Sequence, residues 1–119
     1  MQYTPLGNTG YTVSRLGFGS MRLPMIDIGG KEYVDVERAI AVIHRALELG
    51  VNYIDTGFQY CAEESELVVG TALEQWARKD EIVVAAKCTK FRMADPGDLR
   101  RMLGWVGMNR LLPDREAAR

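Results

Sequence analysis

The segment Glu81-Ile82-Val83-Val84-Ala85-Ala86-Lys87 runs apolar without alternation between two charged ends. A strand with one wet face alternates apolar and polar residues. An unbroken run therefore predicts a strand covered on both faces, as in a parallel sheet. Parallel neighbours cannot be joined by a tight turn and need a crossover, usually a helix. The upstream sequence supplies such crossovers. Asp35 opens a helix in which Val36, Ala39, Ile40, Ile43, Ala46 and Leu47 share one face, and Gly50 stops it. Val51 to Ile54 then form a short strand closed by Asp55. Ser65 is the expected N-cap of a second helix, with Val69, Ala72, Leu73 and Trp76 on one face.

The flanks extend the pattern. Residues 2–14 alternate around Gly7-Asn8-Thr9-Gly10 and predict a β-hairpin. Arg15 to Met21 follow as a strand ending in glycines, and residues 22–34, with Pro24 and Gly29-Gly30, read as a loop. Asp95-Pro96-Gly97-Asp98 opens a third helix through Leu99, Met102, Leu103 and Val106, weakened by Gly104 and Gly107. Hairpin, then β, α, β, α, β, α, predicts an α/β fold with βαβ units. No internal repeat or low-complexity segment interrupts it.

Composition narrows the function. The 119 residues are 47% hydrophobic and 26% charged, with net charge −1. That suits one globular domain and gives no field for a nucleic-acid partner. Five arginines from Arg100 onward read as a solvated tail. The N-terminal residues lack the charged and apolar regions of a secretory leader, and no run approaches the ~20 apolar residues of a membrane span. Cys61 and Cys88 stand alone, without metal spacing, so no metal site is expected. Free thiols point to the cytoplasm.

Two strands end in an ionisable residue after an apolar run, Asp55 and Lys87. In parallel α/β folds chemistry collects at the carboxyl ends of strands. There Asp55 and Lys87 could pair, and Tyr60, on the loop after Asp55, could reach the same place. An ammonium beside a phenol favours the phenolate, which would make Tyr60 a general acid tuned by Lys87. Plainer readings stand beside this one. A strand-ending Asp also serves as a cap, a Lys there also snorkels to water, and a loop Tyr also packs. Other candidates are weaker. Gly17-Phe18-Gly19 lacks the third glycine of a dinucleotide fingerprint. Glu63, Glu64 and Glu66 read as helix-dipole compensation, and no second carboxylate is spaced for a paired-carboxylate hydrolase. His44, the only histidine, falls mid-helix and reads as a helix-surface or packing residue, and Trp76 and Trp105 read as packing.

Three stretches together carry a resemblance: LGNTGYTVSRLGFGSMRLP, GVNYIDTGFQYCAEESELVVGTAL and EIVVAAKC. Over about residues 1–103 the chain resembles the N-terminal part of the aldo-keto reductases. The MRLP and NYIDT wording is most similar to the bacterial branch that often carries a C-terminal iron–sulfur region. The resemblance implies a (β/α)₈ barrel whose bottom is plugged by the first hairpin. It implies hydride transfer between a nicotinamide cofactor, NADPH or else NADH, and a small carbonyl or alcohol. By match to the family's tetrad, Asp55, Tyr60 and Lys87 are the expected catalytic residues. Gly19, Ser20, Met21 and Asp55 are the expected cofactor-side residues.

The fourth tetrad residue, a histidine, would fall at or beyond Arg119, and His44 does not match it. From Gly104 the text GWVGMNRLLPDREAAR departs from the family pattern, so 104–119 reads as a divergent tail after a truncated, incomplete barrel of the hairpin and about three βα units. A closed barrel takes ~250 residues. Unpaired strand edges then predict self-association or a complementing fragment. A non-catalytic fragment acting only in assembly is the alternative function, and an unrelated small α/β binding domain a third.

Overall fold

The computed structural model describes residues 1–87. The third helix, Cys88, Trp105, the arginine tail and the 103/104 boundary lie outside the described residues.

Tyr3–Pro5 (β1) and Thr12–Ser14 (β2) pair antiparallel, and positive φ at Gly7 and Gly10 turns the chain between them. Phe18–Gly19 (β3) is shorter than the expected Arg15–Met21 strand, because Ser20–Arg22 tightens into a 3₁₀ turn. Residues 22–34 are not a plain loop. Met25–Ile28 (β4) and Lys31–Val34 (β5) pair antiparallel around Gly29 and Gly30, whose φ angles are 65° and 83°. Positive φ at both central residues is what a two-residue hairpin turn demands.

Val36–Glu48 (α1) is capped by Asp35, whose side chain accepts from the Arg38 N–H. Ala39, Ile43 and Leu47 are buried, while Val36, expected on that face, is exposed at its first position. At the end, Gly50 N donates to Leu47 O and Val51 N to Ala46 O, the paired bonds of a Schellman stop. Gly50 has φ 93°, and a Cβ there would meet Tyr3 Oη at 2.9 Å.

Tyr53–Asp55 (β6) lies between β3 and Val83–Ala85 (β7), parallel to both. Ser65–Glu74 (α2) bridges β6 to β7. Its N-cap is Glu64, not Ser65: Ser65 is the first helical residue and is fully buried. Ile54, Ala39, Ile43, Leu47, Val68, Val69 and Ala72 form the core between sheet and helices, closed on one side by Leu23 and Val34. His44 joins the two helices, as a packing residue should, with Nε2 2.7 Å from Ala72 O and its ring 5.4 Å from that of Trp76.

The expectation that the Ile82–Ala86 run is covered on both faces does not hold for the described residues. Val84 is 42% exposed and its strand neighbours are only half-buried. Among the described residues β7 is an edge, paired on one side alone.

Candidate active site

The register of the parallel sheet decides what meets at its carboxyl end. Gly19 pairs with Asp55, and Asp55 with Ala85, so the three strands end level. Lys87 follows two residues after β7 and reaches back. Its Nζ donates to both Asp55 carboxylate oxygens, each at 2.6 Å, and lies 3.4 Å from Thr56 O. The same ammonium sits over the Tyr60 ring, 4.9 Å from its centroid. Asp55, Tyr60 and Lys87 thus come together from positions up to 32 residues apart.

The Asp55 hydrogen bonds are the main cause that holds the Lys87 pKa above its ordinary 10.5; Tyr60 adds to them and partial desolvation opposes them. The lysine and aspartate side chains are 46% and 41% exposed, so water screens the pair and its value to stability is modest. Its use is geometric: two donated bonds fix where the ammonium stands.

The loop from Thr56 to Glu64 is shaped to present Tyr60. Gly57 lies under the ring. A Cβ there would meet Tyr60 Cε1 and Cζ at 3.3 Å and Lys87 Cδ at 3.5 Å, so the lack of a side chain lets both groups settle on the backbone. After Tyr60 the chain makes a left-handed turn through three non-glycine residues, Cys61, Ala62 and Glu63, with φ 52°, 55° and 71°. Such residues cost roughly 1–2 kcal/mol each. Cys61 Sγ holds this turn by donating toward the carbonyls of Ser20 and Met21, each at 3.3 Å. Glu64 does not face solvent as simple dipole compensation would have it; its Oε2 accepts from Val34 N at 2.6 Å and ties the β4–β5 hairpin to this loop.

The expected cofactor-side residues differ in exposure. Gly19 is exposed, and a Cβ on it would meet nothing within 4 Å. Met21 is 58% exposed. Ser20 is fully buried, and its hydroxyl donates to Asp55 O at 2.9 Å. Sequence reasoning missed Gly57, Thr56 and the inward role of Ser65. The signal that could have flagged Gly57 is its place between the strand end and the loop tyrosine.

A cavity of about 240 Å³ lies at the other end of the sheet, lined by Leu47, Val51, Asn52, Trp76 and Ile82 among others. It precedes β6 and β7 and is remote from Asp55 and Lys87. Among the described residues no group of His, Cys, Asp and Glu could hold a metal ion. No described helix is long and apolar enough to cross a membrane.

The model of the Aldo/keto reductase family matches residues 15–105. The chain belongs to the aldo/keto reductase family. It is 33% identical over 87 residues to the aldo-keto reductase YhdN of Bacillus subtilis (strain 168), covering 73% of this chain and 25% of that protein. It is 37% identical over 91 residues to the NADH-specific methylglyoxal reductase of Escherichia coli (strain K12), covering 74% of this chain and 26% of the relative. Among solved structures, the holo form of aldo-keto reductase AKR11C1 from Bacillus halodurans superposes with a TM-score of 0.62 at 27% identity, covering 92% of this chain and 37% of that one. This aldo/keto reductase chain thus spans about a quarter of the length of the curated relatives it matches. Its mixed α/β fold is that of the family's solved structures, over the part they share.

Proposed function

We propose that this aldo/keto reductase chain contributes the proton-transfer half of a nicotinamide-dependent carbonyl reduction, or of the reverse alcohol oxidation, with NADPH as its cofactor. The observation that carries the reading is the Lys87 ammonium, held by two 2.6 Å bonds to Asp55 and lying over the Tyr60 ring at the carboxyl end of the sheet. Tyr60 gives its proton to the substrate carbonyl oxygen as general acid. Lys87 faces the negative charge left on the phenolic oxygen. Asp55 fixes the ammonium in place and keeps it charged. The bound cofactor supplies the hydride.

The residues fit a flat ring at the end of β3. Gly19 leaves its side of the backbone open, Met21 offers an exposed apolar surface, and Asp55 a half-exposed acceptor. Ser20 would contribute from beneath them, by holding the segment. We further propose that residues 1–103 are the first part of a (β/α)₈ barrel, that 104–119 are a divergent tail, and that the MRLP and NYIDT wording places the chain nearest the iron–sulfur-bearing bacterial branch. A small carbonyl compound in the cytoplasm is the proposed substrate class. The NADH preference printed in one relative's name makes NADH the second cofactor to try.

The test is fluorescence titration of the purified chain with NADPH and with NADH, followed by carbonyl-dependent oxidation of whichever binds. Saturable binding and turnover are expected, with Tyr60→Phe losing on the order of 100-fold or more in turnover. Neither nucleotide binding at high protein concentration defeats the reading for this chain. Full turnover by Tyr60→Phe defeats the proton-donor assignment.

A further inference from the structure

Ser20, Thr56 and Ser65 are 0%, 3% and 0% exposed, and they arrive from three separate elements: the turn after β3, the end of β6 and the first residue of α2. Burying three hydroxyls is unfavourable unless each is bonded. A hydroxyl has one proton to give, which fixes the direction of the bonds. Ser20 Oγ donates to Asp55 O at 2.9 Å. Its proton spent, it accepts from Ser65 Oγ at 2.7 Å, a shorter contact than the 3.2 Å from Ser65 Oγ to Ser20 O. Ser65 Oγ in turn accepts from Thr56 Oγ1 at 3.0 Å. The chain therefore runs one way, from Thr56 to Ser65 to Ser20 to the main chain of Asp55.

The consequence lies in what this chain spans. Thr56 and Ser65 bracket the loop that carries Tyr60, and the last acceptor belongs to the residue whose carboxylate holds Lys87. The loop also contains three left-handed non-glycine residues, a conformation that persists only where its surroundings over-determine it. We propose that Ser20, Thr56 and Ser65 are positioning residues: their hydroxyl chain clasps the two ends of the Tyr60 loop and sets the phenol against Lys87. Its part in catalysis rests on the proposed function above; the clasp itself does not.

The experiment uses the full chain labelled with [¹³Cζ]tyrosine, the Tyr60 signal being assigned by its loss in Tyr60→Phe. Thr56→Val keeps shape but removes the proton that begins the chain, and Thr56→Ser keeps the proton. The Tyr60 signal is expected to shift or broaden in Thr56→Val and to return to its original position in Thr56→Ser, with Tyr3, Tyr11 and Tyr33 unmoved in both. In turnover, Thr56→Val is expected to lose about tenfold in kcat, with cofactor KM held within about twofold and a larger primary deuterium isotope effect. A Tyr60 signal unchanged in Thr56→Val, or one that moves and is not rescued by Thr56→Ser, overturns the clasp. If Thr56→Val does not fold by circular dichroism, Ser20→Ala puts the same question from the other end of the chain. Absence of turnover in the wild type counts against the proposed function alone, since the tyrosine signal decides the clasp without it.

Discussion

Tyr60 rests on a residue with no side chain, and that makes Gly57 a sensitive position. Alanine there must push the Tyr60 ring by a few tenths of an ångström, since two ring carbons would lie 3.3 Å from the added carbon, while Lys87 Cδ at 3.5 Å stays in ordinary contact. Gly57→Ala is expected to cut any turnover by roughly tenfold while leaving the thermal midpoint nearly unchanged. Steady-state kinetics beside a melting curve checks this. Lys87 gives a pH prediction of definite sign. Its folded pKa lies above the ordinary 10.5, chiefly through Asp55, so its contribution to stability is complete below about that pH. It is lost as pH rises through the raised value. Denaturant midpoints compared between wild type and Asp55→Asn should therefore converge as pH climbs past that range, the wild type having the advantage below it. Equal midpoints throughout would show that the pair adds nothing. That Asp55, Tyr60 and Lys87 meet was legible in the sequence, because two neighbouring apolar runs end in opposite charges and the tyrosine follows on the first loop; the pattern left the cap, snorkelling and packing readings open beside the catalytic one. Ser20, Thr56 and Ser65 were not legible. A single hydroxyl near a turn serves many ends, and Ser65 looked like a cap until Glu64 proved to hold that place and the hydroxyl to point into the core.

Among the elements, α1, α2 and the alternation of helices with parallel strands followed from periodicity, from the start at Asp35 and from the stop at Gly50. The β4–β5 hairpin did not. Pro24 reads as loop, and Met25-Ile26-Asp27-Ile28 lacks the strict alternation that would have let Gly29-Gly30 be read as a hairpin turn. A non-local bond adds to the hairpin's own pairing: Glu64 Oε2 accepts from Val34 N at 2.6 Å, across 30 residues. Glu64→Ala is expected to raise amide exchange at Val34 and its strand before any change in α1, as exchange measured by NMR would show; equal protection would mean that backbone pairing alone suffices. Gly50 is the opposite case, a stop that the sequence announced. With φ at 93° and Tyr3 Oη 2.9 Å from any added Cβ, Gly50→Ala should cost more than about 1 kcal/mol in unfolding experiments.

For the whole molecule, the described sheet has β3 and β7 as its two edges, and Val84 on β7 is 42% exposed. Edges of this kind pair with other chains unless charged or covered. The purified chain is expected to associate as its concentration rises, and Val84→Lys to weaken that association in sedimentation velocity. A wild type that stays monomeric over the same range removes the argument. The first hairpin is fastened by different means. Ser14 N donates to Asn52 Oδ1 at 2.6 Å, Asn52 Nδ2 donates to Thr12 O at 3.0 Å, and Asn52 N donates to Ser14 Oγ at 3.1 Å. One asparagine, through its side-chain amide and its own N–H, does the work of a strand partner, across a separation of 38 residues. During synthesis this fastening has to wait. At the ribosome's ~5–20 residues per second, the hairpin emerges some 2–8 seconds ahead of Asn52, and it must survive that interval on its own two strands.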